Sequence, residues 1–307
     1  MDNAFGGEWT KQKRKILTKY LLAYRKIFDR NEKARYLTTT YVDAFAGSGH
    51  WTPKQPEEGA QGALPFLDEE SEKLFSGTPI EALKLESPFD KYLFIEKDEA
   101  AAQSLRERCA QVCPEQNANE KEKNPSRVEV KHGDANKVLR KFCKSMGKMD
   151  RAVVFLDPYG LSVRWETIKL LAETEKVDLW YWFNIGAVNR LLERRGPPDG
   201  ALAGKLTEIF GTDEWQNAFY TDELPDLFGH ASHPKAVGFS QIATFLLNRL
   251  KSAFGEEGVA PSASIFVNSK NTPLFLFCFA ASNKTGAATA IKIANDLLTK
   301  YGKRVPA

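Results

Sequence analysis

Tyr41-Val42-Asp43-Ala44-Phe45-Ala46-Gly47-Ser48-Gly49 decides the fold. Apolar and β-branched residues run straight into two glycines, which predicts a short buried strand over Tyr41–Phe45 ending in a tight loop. A glycine turn at that place lets backbone approach a ligand, and in an open α/β sheet ligands sit at the carboxyl ends of the strands. The spacing is not Gly-x-Gly-x-x-Gly, which tells against a nicotinamide dehydrogenase. No Lys-Ser/Thr follows Gly49, so it is not a phosphate-binding Walker loop either. Taken alone, the two glycines also read as an ordinary turn.

Three further segments repeat the rhythm of strand, then acid, and a fourth strand ends in an asparagine. Lys91-Tyr92-Leu93-Phe94-Ile95-Glu96 ends in a carboxylate, with Asp98 beside it. An acid there can accept from both ribose hydroxyls of an adenosine, or it can cap the helix that follows. Val128-Glu129-Val130 leads to Gly133-Asp134, where a carboxylate can accept from an adenine amino group or simply make a turn. Ala152-Val153-Val154-Phe155-Leu156 is apolar throughout, as expected of a central parallel strand covered on both faces. It delivers Asp157-Pro158-Tyr159-Gly160. Asp157 and the Pro158 carbonyl can accept from a substrate amine, and the Tyr159 ring offers a stacking surface; the alternative is a type I turn. Leu179-Trp180-Tyr181-Trp182-Phe183-Asn184 is a fifth strand.

Helical spacing fills the gaps. Ile16, Leu17, Tyr20, Leu21, Tyr24 and Phe28 predict an amphipathic helix over Trp9–Asp29. Thr78-Pro79-Ile80-Glu81 reads as a helix start with Thr78 as the cap. Further helices are expected over Glu99–Cys113, Ala135–Ser145 and Trp165–Thr174, with loops over 51–75 and 115–124. After Asn184 the strands stop, and Val188–Arg195, Ala201–Phe210, Glu214–Phe219 and Phe239–Ala253 read as helices. Ile265-Phe266-Val267 and Leu274–Phe279 restore strand character before a closing helix, Ala287–Lys300.

The expected architecture is α/β: a Rossmann-like, mostly parallel sheet with helices on both faces and a helical insertion before the last strands. The divisions are 1–185 for the N-terminal helix and cofactor-binding core, 186–260 for the insertion, and 261–307 for the elements that complete the core. Glycine loop, acid, acid and Asp-Pro-aromatic end successive strands, and that order points to an adenosine-containing cofactor.

Bulk composition narrows the class further. The 307 residues are 42% hydrophobic and 27% charged, ordinary for one globular core with an appendage. No apolar run reaches the roughly 18 residues a membrane span needs, and Met1-Asp2-Asn3 does not open a secretory signal. A cytoplasmic protein without a membrane partner is expected. Cys109, Cys113, Cys143 and Cys278 form no Cys-x-x-Cys pair and read as reduced thiols. With only His50, His132, His230 and His233 available, no metal site is expected. The net charge of +3 does not decide for or against nucleic acid. Lys11-Gln12-Lys13-Arg14-Lys15 and Arg190, Arg194 and Arg195 are basic clusters that either contact phosphate or face solvent.

With these residues in place, the stretch 38–185 resembles the class I S-adenosylmethionine methyltransferases. The loop Asp43–Gly49 is similar to the cofactor loop of ribosomal-RNA guanine N2-methyltransferases. Asp157-Pro158-Tyr159-Gly160 looks like the Asp-Pro-Phe-Gly of tRNA guanine N2-dimethyltransferases and lacks the second proline of the N6-adenine enzymes. Over nearly its whole length the chain also resembles the three-Cys-motif partner family (TcmP), bacterial proteins named for a genomic neighbour. The matching residues are Lys15-Ile16-Leu17-x-Lys19-Tyr20-Leu21-x-Ala23-Tyr24, Tyr41–Gly49, Gly77-Thr78-Pro79-x-x-Ala82-Leu83 and Phe94-Ile95-Glu96. Phe155–Gly160, Phe210-Gly211-x-x-x-Trp215 and Pro273-Leu274-Phe275 continue the match.

The resemblance implies S-adenosylmethionine as cofactor, held by Asp43, Phe45, Ala46, Gly47, Ser48, Gly49, Glu96 and Asp134. Asp157, Pro158 and Tyr159 would carry methyl transfer to a nucleic-acid base, an exocyclic amine being favoured. Asn184, Arg190, Arg194 and Arg195 would hold the RNA or DNA. The alternative is a cofactor-binding partner of a three-Cys-motif protein encoded nearby, in a bacterial gene cluster of the phage-defence kind, without catalysis of its own.

Overall fold

Two-sided burial places the apolar runs at the centre of one eight-stranded sheet, in the order β10-β8-β9-β5-β4-β1-β2-β3. The computed structural model describes residues 7–49, 77–113, 127–194, 196–221, 224–225, 231–232 and 234–306. Its first five strands, β1 (Thr38–Asp43), β2 (Lys91–Glu96), β3 (Val128–His132), β4 (Asp150–Leu156) and β5 (Val177–Phe183), are all parallel. β9 (Pro273–Ala281) runs antiparallel to β5, β8 (Ser262–Val267) antiparallel to β9, and β10 (Lys303–Pro306) closes that edge. This is the mostly parallel, Rossmann-like sheet expected. The chain winds outward from β1 through β2 to β3, then returns to place β4 on the other side of β1. The order therefore reverses between β1 and β4, the place where sheets of this kind open a ligand crevice.

Period-two alternation sends each strand's side chains to two different cores. Val154, Leu156, Leu179, Tyr181 and Phe183 face one side; Val153, Phe155, Trp180 and Trp182 face the other. On the first side lie α4 (Ala135–Ser145), α5 (Trp165–Glu173), α6 (Ile185–Leu191), α7 (Gly200–Phe210), α8 (Trp215–Phe219) and α9 (Phe239–Phe254). The helices of the 186–260 stretch thus share their core with the sheet: Phe183 meets Phe210, and Phe210 meets Phe219 and Phe245. On the second side lie α1 (Gly7–Arg30), α2 (Thr78–Leu83), α3 (Glu99–Val112) and α10 (Ala287–Tyr301).

The differences from the expected elements are local and have physical causes. β1 begins at Thr38 and ends at Asp43, so Ala44 and Phe45 belong to the loop. Thr39 and Thr40 are buried despite their hydroxyls. Thr39 is satisfied by Asp90, which accepts from its N–H and its hydroxyl at 2.7 Å, and by Arg25, whose Nη1 donates to Oγ1 at 2.6 Å. Thr78 does not cap α2: the cap is Gly77 in a left-handed conformation, and the Thr78 hydroxyl is used elsewhere. The helix expected over Val188–Arg195 starts at Ile185 and stops at Leu191. β10 and the short hairpin of β6 (Leu224–Pro225) and β7 (Ala231–Ser232) carry too little periodicity to be foreseen. The expected loops 51–75 and 115–124 lie outside the described residues. No helix is long and apolar enough to cross a membrane among those described.

α1 is fastened to the sheet by its apolar stripe and, at the start of β5, by a buried hydrogen bond. Ile16, Leu17, Tyr20, Leu21 and Tyr24 are buried at helical spacing, and Tyr20 packs edge-on to Trp180. The Tyr20 hydroxyl donates to Asp178 Oδ2 at 2.6 Å, at the start of β5. Burial pushes the Asp178 carboxyl up to about 7, with the Tyr20 hydrogen bond opposing that rise. Removing the hydroxyl leaves a buried carboxyl without this donor, at a cost of about 1–3 kcal/mol. Tyr20→Phe is expected to lower the unfolding free energy by that amount in urea titrations, with the m-value unchanged.

Candidate functional site

The loop after β1 is sewn to its neighbours on both sides by backbone. The Ala44 N–H donates to the Phe155 carbonyl at 3.1 Å, and the Ala46 N–H to the Ile95 carbonyl at 2.9 Å. Gly47 and Gly49 then take positive φ values of 63° and 68°, a region that side chains with a Cβ disfavour. Among the described residues a Cβ at Gly47 would meet nothing within 4 Å, so they leave that face of the loop open, whereas one at Gly49 would press on Leu105. Glu96, half-buried at the end of β2, reaches across: its Oε2 accepts from the Gly47 N–H at 2.8 Å and its Oε1 from the Asp98 N–H at 2.8 Å. A carboxylate has about four acceptor positions, so Glu96 keeps capacity for two further donors. The loop and the acid at the next strand end therefore form one unit.

Asp43 works inside this unit. It is fully buried, its Oδ1 accepts from the Phe45 N–H at 3.2 Å, and its Oδ2 accepts from the Thr78 hydroxyl at 2.5 Å. Burial pushes its carboxyl up to about 7; the Thr78 hydrogen bond works against that and the nearby Asp157 adds to it. Asp43 thus shapes the loop and ties it to α2 from beneath.

Asp157 follows β4 on the other side of the reversal. It is 6% exposed, and its Oδ2 accepts from Lys13 Nζ at 2.5 Å. Burial raises its carboxyl, and the Lys13 ammonium pulls it back down. Lys13 is itself only 3% exposed, with Nζ 4.9 Å from the Trp182 ring centroid and 5.9 Å from that of Phe155. Of the two readings of the Lys11–Lys15 cluster, neither solvent nor phosphate describes Lys13. Its neighbour Arg14 pairs with Glu81 on α2. Pro158 is buried, while Tyr159 turns outward at 43% exposure. A shielded acid therefore stands beside an accessible aromatic ring.

The remaining expected residues divide between structural duty and the rim. Asp98 caps α3 by accepting from the Ala101 N–H at 2.7 Å. Asp134, half-buried, caps α4 through Oδ1, which accepts from the Lys137 N–H at 3.0 Å. Asn184 is 3% exposed and caps α6 through the Ala187 N–H at 2.8 Å. Phe45, Gly47 and Ser48 are half-buried, and Ala46 is buried. Arg190 and Arg194 are exposed beyond β5, and Arg195 lies outside the described residues. Among the described residues no cluster of three or more His, Cys, Asp or Glu could hold a metal, and all four cysteines are free thiols. Of the histidines, His50, His230 and His233 fall outside the described residues.

Sequence reading missed Lys13 and Thr78. The signal for Lys13 was present: it sits three and four residues before Ile16 and Leu17, on the stripe that the helix buries.

No family model matches the chain, and no curated protein does. Among solved structures it is similar to protein LPL1258 from Legionella pneumophila, with a TM-score of 0.46 and 15% identity over 97% of this chain and 93% of that one. It is similar to Trm1 from Pyrococcus horikoshii in complex with S-adenosyl-L-methionine, with a TM-score of 0.41 and 10% identity over 92% of this chain and 58% of that one. A third is spermidine synthase from Thermotoga maritima, with a TM-score of 0.40 and 13% identity over 95% of this chain and 68% of that one. The fold assignment rests on the chain's own strand order and register, not on these distant likenesses.

The raised Asp43 carboxyl makes stability depend on pH in a definite direction. Its folded value of about 7 lies above the ordinary 3.8, so the folded protein holds a proton that the unfolded chain has released. Stability from this group is complete below the unfolded value and is lost as pH rises towards the folded one, with a slope of up to about 1.4 kcal/mol per pH unit. Asp43→Asn removes the proton and should flatten the stability curve between these limits by that slope, as read from urea unfolding at a series of pH values.

Proposed function

We propose that this chain is an S-adenosylmethionine-dependent methyltransferase acting on an exocyclic amine of a nucleic-acid base. The observation that carries the reading is the pair of loops flanking the reversal between β1 and β4. On one side Gly47 and Glu96 are hydrogen-bonded beneath an open face; on the other Asp157 and Tyr159 stand together. A nucleoside fits the first side: backbone without a Cβ allows close approach, and Glu96 has acceptor capacity for ribose hydroxyls. Asp134 retains a second oxygen for an adenine amino group. S-adenosylmethionine, when bound, supplies a methyl group on a sulfonium, and the protein contributes alignment.

On the acceptor side the residues bind and orient. Asp157 Oδ1, to which the described residues make no hydrogen bond, accepts an N–H of the substrate amine, and the Pro158 carbonyl offers a second acceptor. Two such bonds turn the nitrogen lone pair away from the protein and towards the cofactor side. Tyr159 offers the flat surface on which an unstacked base can rest, a contact worth about 1–3 kcal/mol per base. The exposed Arg190 and Arg194 suit phosphate contacts.

A second reading draws on the ion pair that Asp157 already makes. In it the chain is a cofactor-binding partner of a three-Cys-motif protein and transfers no methyl alone.

Calorimetry separates these readings from a dehydrogenase. S-adenosylmethionine and S-adenosylhomocysteine should bind and NAD should not, and Glu96→Ala should weaken binding tenfold or more, about 1.4 kcal/mol. Asp157→Asn should retain cofactor affinity within a small factor yet transfer no tritiated methyl to total RNA or DNA. Transfer at the parental rate by that variant would eliminate the proposed acceptor site; binding without any transfer by the parent favours the partner-protein reading.

A further inference from the structure

The least expected residue at the crevice is the buried Lys13. α1 buries an apolar stripe at Ile16, Leu17, Tyr20, Leu21 and Tyr24, and Lys13 occupies the next position of that stripe towards the helix start. An apolar residue there would prolong the core contact without desolvating a charge. Burying an ammonium and a carboxylate together costs several kcal/mol per ion before their attraction offsets it. The pair is therefore poor value as a fastener, and α1 already has one in Tyr20 and Asp178.

The geometry around Nζ is specific. It takes Asp157 Oδ2 at 2.5 Å and lies over Trp182 at 4.9 Å, so the cation approaches the carboxylate from the side on which β4 and β5 bury Phe155 and Trp182. Oδ1 receives no hydrogen bond from any described residue. The Asp157 charge in turn bears on Asp43 and on the Tyr41 hydroxyl of β1, adding to the rise of both; Arg14, next along α1, is engaged with Glu81 on α2. Lys13 is thus the one cation that is hydrogen-bonded to Asp157 among the described residues, opposite a second buried acid.

We propose that Lys13 is a positioning residue of the acceptor site, holding Oδ2 of Asp157 so that an ionised Oδ1 faces the incoming amine. This rests on the methyl-transfer reading. Lys13 touches neither substrate nor cofactor and acts through Asp157. Its two effects are separable: the charge keeps the acid ionised near neutrality, and the hydrogen bond fixes the rotation of the carboxylate. Without the ammonium, burial favours the protonated acid, which donates where the site needs an acceptor.

The test uses the full chain with Lys13→Met, Lys13→Gln as the polar substitute should the first fail to fold, and Lys13→Arg to retain the charge. Two readouts are taken across pH. One is the carboxyl carbon-13 resonance of Asp157, assigned by its loss in Asp157→Asn; it needs neither cofactor nor substrate. The other is tritiated methyl transfer from S-adenosylmethionine to total RNA or DNA. In the charge-removing variants the Asp157 titration should move up by at least about one pH unit, and the acid limb of the rate profile should move with it. That is a loss of about tenfold on the limb for each unit. Lys13→Arg should keep the parental titration midpoint. An Asp157 midpoint that stays in place when Lys13 is neutralised overturns the proposal, as does a moved midpoint with an unmoved rate profile. A parent that transfers no methyl at any pH overturns the reading beneath it instead, and the titration then shows separately whether Lys13 governs the charge of Asp157.

Discussion

Strand order makes the crevice. β1 lies between β2 and β4, and the chain leaves β1 in one direction and comes back in the other, which is the switch point at which open α/β sheets place a ligand crevice. Parallel register sets the strand ends level: Asp43 lies opposite both Phe94 and Phe155, which brings Glu96 and Asp157 to the same edge. Side chains from stretches far apart in sequence thereby become neighbours with no need of a long loop to carry them.

That arrangement brings an electrostatic cost. Asp43 and Asp157 end adjacent strands, both nearly without solvent; burial raises both carboxyls, and the charge of Asp157 adds to the rise at Asp43. The molecule answers with different devices. Asp43 takes hydrogen bonds from Thr78 and from its own loop, while Asp157 takes a full ammonium from Lys13. Both devices come from the same side of the sheet, and the Arg14–Glu81 pair joins α1 to α2, which carries Thr78. The first turns of α1 therefore bear on both halves of the crevice. Asp178, a third buried acid, is held at the opposite end of the sheet by Tyr20 of the same helix.

Packing and function are divided between the faces. One face buries Trp180, Trp182, Phe155, Phe277 and Phe279 under α1 and α10, a dense aromatic layer with ring centroids between 4.7 and 6.2 Å apart. Such a layer resists deformation, which suits a wall against which Lys13 must be held in place. The other face is covered by α4 and α5 together with the helices that follow β5, of which α6 starts directly after that strand and carries Arg190, exposed, in its last turn.

The sequence determined most of the elements and the residues that close the parallel strands. Continuous apolar runs located those strands, helical spacing located the helices between them, and the acid, amide or glycine closing each strand marked the candidate edge, because these are local properties written in consecutive residues. Which acids face the crevice was a tertiary decision. Asp98, Asp134 and Asn184 each have the same local appearance as a ligand contact, yet each accepts the N–H of a residue three further on. An orphan N–H at a helix start competes for the same oxygen that a ligand would. Helical spacing put Lys13 on the buried stripe, but its partner was settled by the fold: Asp157 lies 144 residues away, and the burial of α1 across β4 sets that charge against it.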